Sequence, residues 1–321
     1  MDLNLKIAGY DITQLVDQYR EKTIEELFPN FNIISNEMGE FMELIWDEVD
    51  ANSYFDLSIT RKKLVRNLKT VFNVGENVEK HLQKRGIKTL SDLKFNLRFG
   101  QSANELLQLI KEKNFAELSK NKYIYDLDLG FCFKLEELLF LDIETLGIYD
   151  SPMIIVGVGF YKNAKFEIHL FFARDIEEEI AICEHLRKKI LPEFRCFVSY
   201  NGKSFDIPYL ASRFLYFFDE NPLIRQKDTP YKDVNTKFHH IDLYHQCRRK
   251  FKGQFYNYTL TTMEQRLLHW ERENELPSSL VGMCYRKYLK NPKRYIGLVK
   301  ECIEHNYYDV FSLPLILKKL L

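Results

Sequence analysis

What the sequence lacks argues against several classes of protein. The 46 basic and 46 acidic residues balance, so the net charge indicates no partner, and any affinity for nucleic acid would have to come from local basic clusters. The six cysteines include no C-x-x-C pair, which argues against a zinc site or a redox motif, and we expect no disulfide framework in a chain of this length without a secretory signal. No apolar run reaches about 18 residues and no signal-peptide pattern is present, so we expect a cytoplasmic protein without a membrane span.

The first part of the chain, up to about residue 130, has the apolar spacing of helices and few glycines. Apolar residues recur every three to four positions in ITQLVDQYREKTIEELF (12–28), FMELIWDEVD (41–50), RKKLVRNLKTVF (61–72) and the stretch 95–121. With 321 residues, of which 45% are hydrophobic, the chain is long enough for two domains. We therefore predict a smaller, mostly helical domain over residues 1–130.

From about Leu138 the pattern changes to short apolar strands. The first three strands have short connections and predict an antiparallel meander, and the second of them contains Gly157 and Gly159. A helix follows the meander, and later helices begin near Ile207 and after the last strand. The order predicts an α/β fold, a mixed sheet flanked by helices and preceded by the helical domain. Strands are predicted over LLFLDIET (138–145), MIIVGVGFY (153–161), KFEIHLFFA (165–173), CFVSYN (196–201) and the start of FHHIDLYHQCRR (238–249).

Four acidic residues lie at unexpected places in this second part. Asp142 and Glu144 are two positions apart on a strand and so share one face. Asp206 follows a glycine turn where a helix begins, and Asp309 lies on an apolar helix. Each position has a simpler alternative. The strand pair could decorate an exposed edge, Asp206 could cap the helix, and Asp309 could lie on a solvated stripe of its helix. Together they can converge on one end of the sheet, where they would repel unless divalent cations neutralise them.

Divalent cations bound to such a cluster would also enable it to catalyse a reaction. Mg²⁺ and Mn²⁺ prefer oxygen ligands. Two such ions, about 3.5–4 Å apart, can activate a water molecule and stabilise the leaving oxygen when a phosphodiester is cleaved. The order of the acids around one α/β pattern therefore predicts a two-metal site for phosphodiester hydrolysis.

Three motifs, FLDIET, YNGKSFD and HNYYDVFSL, resemble those of the DEDD-type 3′–5′ exonucleases of the ribonuclease H-like superfamily. Asn201, Phe205 and Asp206 match the second motif, N-x-x-x-F-D, and the segment YTLTTMEQRLLHWEREN (258–274) resembles the YprB-type branch in particular. The resemblance covers about residues 136–321. It implies hydrolysis of a phosphodiester from a 3′ end with two divalent cations, Mg²⁺ or Mn²⁺. The metal ligands that it implies are Asp142, Glu144, Asp206 and Asp309.

The chain departs from this family at the residue that orients the attacking water. Members of the family have a tyrosine four residues before the last aspartate or a histidine five residues before it, whereas this chain has His305 four residues before Asp309. We predict that His305 is the general base, because its ordinary pKa of about 6.5 suits neutral pH and it lies on the helix face of Asp309. The alternative is that His305 only packs. Asp242 is either an outer acid of the site or a cap.

Residues 70–93 resemble a helix-hairpin-helix element, which binds the sugar-phosphate backbone without sequence preference. The hairpin is F-N-V-G, with Asn73 where the motif has its first glycine, and Asn tolerates the left-handed conformation that the turn needs. Backbone N–H groups at the following helix start can face a phosphate. The alternative is an element that only packs or contacts protein. Across the chain, we predict nucleic-acid contacts from Gly75, Lys80, Lys84, Asn201, Lys203, Arg248 and Arg249.

Three functions remain open at this point. The first is a two-metal 3′–5′ exonuclease on single-stranded ends, with single-stranded DNA as the leading substrate and RNA as the second. The next is an inactive nucleic-acid-binding or scaffolding module, and the last is an endonuclease or RNase on the same scaffold. The intact acidic set favours an enzyme, because an inactive module has no reason to keep four carboxylates that repel each other.

Overall fold

The structure is a computed structural model that describes residues 6–7, 10–49, 54–223, 238–272 and 276–321. A seven-stranded mixed sheet lies at its centre, in the order β3-β4-β7-β6-β5-β8-β9, beside a short β1-β2 pair. The strands are β1 Lys6–Ile7, β2 Tyr10–Asp11, β3 Phe31–Asn36, β4 Gly39–Val49, β5 Leu138–Thr145, β6 Met153–Lys162, β7 Lys165–Phe172, β8 Cys196–Ser199 and β9 His239–Asp242.

The inner strand β5 divides the sheet into an antiparallel part and a parallel part. On one side β6, β7, β4 and β3 pair antiparallel in turn, which confirms the predicted meander over β5–β7. On the other side β8 pairs parallel with β5, and β9 pairs parallel with β8. Parallel neighbours need long crossover connections, and the helices between these strands supply them.

Helices cover both faces of the sheet, so the predicted α/β class with flanking helices is confirmed. No helix in the described ranges is long and apolar enough to cross a membrane. Of the YprB-like segment 258–274, the last two residues lie outside the described residues. The helices are α1 Thr13–Tyr19, α2 Ile24–Leu27, α3 Ile59–Val65, α4 Glu76–Lys84, α5 Leu90–Leu93, α6 Gly100–Glu112, α7 Phe115–Leu118, α8 Glu179–His185, α9 Asp206–Phe218, α10 Leu243–Lys250, α11 Leu260–Met263, α12 Ser278–Lys290 and α13 Pro292–Leu320.

The helix predicted over FMELIWDEVD is wrong. Residues 39–49 form β4, which pairs with β3 and β7, and Asp50 lies outside the described residues. Phe41 belongs to the apolar cluster on one face of the sheet, and Met42 and Leu44 belong to the cluster on the other. Because both faces of the strand are covered, its apolar residues do not alternate with polar ones, and their spacing mimics that of a helix.

The remaining helical predictions for the N-terminal part are confirmed by α1 to α7, although several of these helices are a single turn. The hairpin of β3 and β4 nevertheless extends the main sheet. Part of the region before residue 130 therefore builds the α/β core, and the division of the chain into domains at that point stays a prediction.

The alternation of side chains along β5 sends its acids to one face. Leu139, Leu141 and Ile143 pack in the cluster that includes residues of α8 and α9. Phe140 packs in the opposite cluster, which includes residues of α13. Because successive side chains of a strand point to opposite faces, Asp142 and Glu144 lie on the α13 side. The apolar residues of β5 thus fix where its two carboxylates stand.

Candidate active site

Three structural elements bring the predicted acids together. Asp142 and Glu144 extend from the middle and end of β5, an inner strand of the sheet between β6 and β8. Glu144 is buried and Asp142 is half-buried. Asp309 comes from α13, a helix of 29 residues that packs against β5, β6 and β7. The position of the acids therefore depends on how α13 crosses the sheet.

Asp206 is the first residue of α9 and is bound to β5. Its Oδ1 accepts a hydrogen bond from the backbone N–H of Ile143 at 3.1 Å, between the two acids of the strand. The residue at the helix cap is Phe205, which makes no side-chain capping bond. Asp206 therefore holds the start of α9 against the acids of β5, and the cap that sequence alone allowed is not its role.

His305 lies among the carboxylates, as the spacing predicted. Its Nε2 is 3.5 Å from Oε1 of Glu144 and 3.5 Å from Oδ2 of Asp309. The hydroxyl of Ser278, the first residue of α12, lies 3.0 Å from the same nitrogen. One side of the imidazole is thus directed at the acids and at a hydroxyl.

Burial and mutual repulsion perturb the acids strongly. Burial raises the pKa of Asp142 and of Glu144 well above the usual range, and the charges of Asp309 and Asp206 raise it further. Burial also raises the pKa of Asp206 to about 7, against hydrogen bonds from backbone N–H groups that lower it. Without a cation, the cluster therefore holds protons that ordinary carboxyl groups would lose.

The donor atoms of the cluster fit a divalent cation. One ligand atom each of Glu144, His305 and Asp309 lie within 4.8 Å of one another. Carboxylate oxygens are the ligands that Mg²⁺ and Mn²⁺ prefer, and a cation of either kind would relieve the repulsion that raises the pKa values. The site is therefore a candidate metal centre, although the donor set does not identify the ion.

A buried charge network lies behind Asp309 and was not predicted from the sequence. Arg272 places its Nη2 2.6 Å from Oδ1 of Asp309 and its Nε 3.0 Å from Oε2 of Glu264. Glu264 also accepts a hydrogen bond from Ser312, one turn beyond Asp309 on α13. The side chains of Arg272 and Glu264 are 2% and 1% exposed. The YprB-like segment contains both residues, but only the fold shows that they reach Asp309.

Asn306 is a second residue of the site that was not predicted from the sequence. It is fully buried on α13, and its Nδ2 donates a hydrogen bond to Oδ2 of Asp142 at 2.7 Å. It stands within the third motif, next to His305, so its position in HNYYDV was the available signal.

The acids form one wall of an open cleft of about 650 Å³. Residues 143–148, which follow Asp142 on β5 and in the next loop, continue that wall. Tyr200, Asn201 and Phe205 line a second side, and Ser278, Gly282 and Arg286 of α12 line a third. Arg286 also donates a hydrogen bond to the carbonyl of Leu146 at 3.0 Å. The predicted residue Asn201 is therefore in the cleft with the acids.

Other predicted residues lie outside the lining of this cleft. The ammonium of Lys203 is bound to Asp126 at 2.7 Å. Arg248 and Arg249 lie over the rings of Tyr244 and Tyr125, with 5.4 and 4.2 Å from the guanidinium carbon to the ring centre. Their contacts with nucleic acid stay predictions.

Asp242 caps α10, which was one alternative, and its charge adds to burial in raising the pKa of Asp206, so the alternative of an outer acid also stays open. Its carboxylate accepts backbone N–H bonds from Asn201 at 3.0 Å, Lys203 at 3.1 Å and Tyr244 at 3.0 Å. The first two N–H groups belong to the turn before Asp206, and the third belongs to α10, which Asp242 caps. Asp242 therefore shapes the turn that carries Asp206.

The turn F-N-V-G, in the helix-hairpin-helix-like segment of residues 70–93, has the conformation that its sequence favours. Asn73 is left-handed, with φ of 62°, and Gly75 precedes the first residue of α4. A separate cleft of about 520 Å³ lies at this turn, and its lining includes Lys69, Lys122 and Phe72, which is 79% exposed. Lys80 binds Glu76 at 2.7 Å, and Lys84 is exposed.

The fold and the acidic cluster define the class of protein. The chain belongs to the RNase H superfamily, because the model of a family described by that name matches residues 139–321, more than half of the chain.

A particular relative is the uncharacterized protein YprB of Bacillus subtilis (strain 168). It is 28% identical to this chain over 179 residues. The match covers 55% of this chain and 40% of YprB, so the chain matches less than half the length of that relative.

Proposed function

We propose that this chain is a metal-dependent 3′–5′ exonuclease that hydrolyses phosphodiester bonds at single-stranded ends of nucleic acid. The observation that carries the proposal is the convergence of four acids from β5, α9 and α13, which line one open cleft with Asn201. Replacing buried charges by apolar residues is often neutral or stabilising, so a scaffold without activity would not need this cluster. The resemblance of the three motifs to DEDD-type exonucleases supports the same reaction.

The cofactors that we propose are two divalent cations, Mg²⁺ or Mn²⁺, held by Asp142, Glu144, Asp206 and Asp309. When bound, such ions would lower the pKa of a water molecule, so that it could lose a proton and attack a phosphodiester. They would also neutralise charge on the leaving oxygen. The chain itself orients the ligands. Arg272 holds one oxygen of Asp309, and the backbone of β5 holds one oxygen of Asp206.

We propose His305 as the general base that accepts the proton of the attacking water. Its Nε2 lies beside two of the proposed ligands and 3.0 Å from the hydroxyl of Ser278. A hydrogen bond from Ser278 would orient the ring, because hydroxyl groups rotate to suit a partner. The competing role for His305 is that of a metal ligand, and the two roles differ in whether its loss weakens metal binding.

Single-stranded DNA is the substrate that we propose, with RNA as the second candidate. The cleft opens beside the loop after β5, in which Ile148 and Tyr149 are 68% and 84% exposed. Exposed aromatic and apolar side chains suit unpaired bases, which stack on them. Arg286 of α12 also lines the cleft, where a guanidinium suits a phosphate.

The hairpin of residues 70–93 is proposed as a second binding site for the phosphate backbone. The cleft at Gly75 combines backbone N–H groups at the start of α4 with Lys69, Lys122 and the exposed ring of Phe72. This combination suits a strand without regard to its sequence. Replacing Lys69 and Lys122 by Gln should reduce the slope of log affinity against log salt by about 0.7 for each phosphate that the variant no longer neutralises. An unchanged slope would remove this cleft from the binding surface.

The function is tested with the full chain and end-labelled oligonucleotides of DNA and RNA, single- and double-stranded, with Mn²⁺, Mg²⁺ or EDTA. We expect cleavage that needs the metal, a ladder of mononucleotides released from the 3′ end, and preference for single strands. Asp142→Asn and Asp309→Asn should abolish it, while Asp17→Asn, on the exposed side of α1, should not. Equal activity of Asp142→Asn and the unmodified chain would refute the assignment.

The same assay separates the alternatives. Cleavage of a closed circular single strand would identify an endonuclease, because a circle has no end. Binding of oligonucleotides without cleavage under any metal would identify an inactive binding module. Cleavage of RNA but not of DNA would identify an RNase.

A further inference from the structure

Asn306 occupies a position that packing alone does not explain. The residue is fully buried on α13, its Nδ2 donates to Oδ2 of Asp142 at 2.7 Å, and no donor in the described part of the chain reaches its Oδ1. A buried carbonyl oxygen without a donor disfavours folding. The orientation of the amide is fixed by Asp142, because the opposite orientation would set the amide oxygen against a carboxylate.

Gly157 makes this position possible. It is the cross-strand partner of Asp142 on β6, so the two residues face the same side of the sheet. A Cβ at Gly157 would lie 2.2 Å from Oδ1 of Asn306 and 2.7 Å from Cγ2 of Val310. No residue with a side chain fits there unless Asn306 moves. The glycine therefore lets the amide approach the sheet closely enough to reach Asp142.

We propose that Asn306, seated on Gly157, is a positioning residue that holds Asp142 for metal binding. The amide binds Oδ2 of Asp142, which leaves Oδ1 as the oxygen without this bond and stops the carboxylate from rotating. Hydrogen bonds to ligating carboxylates are known to orient them, and their loss commonly weakens metal binding 10–100-fold. The inference rests on the proposed metal site and adds a residue to it that does not touch the metal or the substrate.

The chain offers two matched controls. Asn67 is also an asparagine whose Nδ2 donates one bond, to the carbonyl of Tyr123 at 3.0 Å, and whose buried Oδ1 reaches no donor in the described ranges. Gly159 is on β6 as well, and a Cβ there would lie 2.5 Å from Cζ of Phe166 and 2.8 Å from Cγ1 of Val310. Each control repeats the local change without touching Asp142.

The test is calorimetric titration of metal-free protein with Mn²⁺, together with urea unfolding of each variant. Asn306→Ala and Gly157→Ala should weaken Mn²⁺ binding by about 10-fold or more. Asn67→Ala and Gly159→Ala should leave it within about 2-fold, at a comparable loss of stability. In the cleavage assay, Asn306→Ala should lower kcat and leave the KM for the oligonucleotide unchanged at saturating Mn²⁺.

The outcomes separate this inference from the proposed function. Mn²⁺ binding by the unmodified chain, together with unchanged binding by Asn306→Ala, overturns the inference alone. If Asn306→Ala does not fold, the glycine pair decides, and equal effects of Gly157→Ala and Gly159→Ala overturn it. Absence of Mn²⁺ binding by the unmodified chain overturns the metal site and the inference with it.

Discussion

Replacing Arg272 by Met removes the guanidinium that buried Glu264 and half-buried Asp309 share. Its guanidinium binds Asp309 at 2.6 Å and Glu264 at 3.0 Å, and the side chains of Arg272 and Glu264 are 2% and 1% exposed. Breaking a buried pair by removing one partner costs about 3–5 kcal/mol, because the remaining charge has no compensation. We expect Arg272→Met to lower the free energy of unfolding, measured by urea denaturation in EDTA, by about that amount.

Two further variants separate the possible causes of that loss. The double variant Glu264→Met/Arg272→Met lacks both charges of the Arg272–Glu264 pair. It should therefore regain most of the stability that Arg272→Met loses. Mn²⁺ should restore part of the stability of Arg272→Met, because a bound cation can supply charge beside Asp309. Arg213→Met is the matched control, since Arg213 binds buried Glu179 at 2.7 and 2.6 Å outside the acidic cluster. It should lose similar stability that Mn²⁺ does not restore.

The reasoning would be refuted by either of two results. One is a loss of less than about 1 kcal/mol in the free energy of unfolding for Arg272→Met in EDTA. This would mean that Asp309 and Glu264 do not need the guanidinium beside them. The other is equal recovery of Arg272→Met and Arg213→Met in Mn²⁺. Both are read from the same urea curves, with the slope of each curve checked for a change in the unfolded state.

Three other predictions concern the acids and the base. Asp242→Asn should cost about 1.5–3 kcal/mol of stability, because a charged acceptor of three N–H bonds becomes neutral; an unchanged urea midpoint would contradict this. Because the pKa values of the clustered acids are raised, to about 7 for Asp206, the contribution of these acids to the stability of the metal-free protein is full below about pH 4 and is lost as pH rises to about 7. Saturating Mg²⁺ should flatten that profile, and a flat profile in EDTA would contradict the cause. His305→Ala should lower kcat by about 10²-fold with unchanged Mn²⁺ affinity, whereas weaker Mn²⁺ binding would make His305 a ligand.

The strands of the α/β part could be predicted because their signals are local. LLFLDIET and MIIVGVGFY are short apolar runs, the second of them rich in β-branched residues, and both are strands. FMELIWDEVD failed because burial of both faces removes the alternation that marks a strand. Its partner β7 lies more than a hundred residues away, so no window around residue 45 contains the cause.

The acidic residues of the candidate site could be predicted from the sequence, whereas the residues that hold them in place could not. Asp142, Glu144, Asp206 and Asp309 are charged residues in apolar surroundings, which a sequence displays directly. Arg272 is one charged residue among several in its segment, and nothing nearby distinguishes it. Its role arises from contact with Asp309, which lies 37 positions further along the chain, beyond the whole of α12.

The sequence by itself determined that Asp142 and Glu144 share one face, because the two-residue period of a strand places them there. The tertiary structure alone decided what holds them. α13 crosses the sheet over Gly157, and this crossing brings Asn306 to Asp142 and Asp309 to Arg272. The physical reason is range: side-chain direction follows from a few neighbouring dihedral angles, whereas these contacts depend on the packing of elements that are distant in the chain.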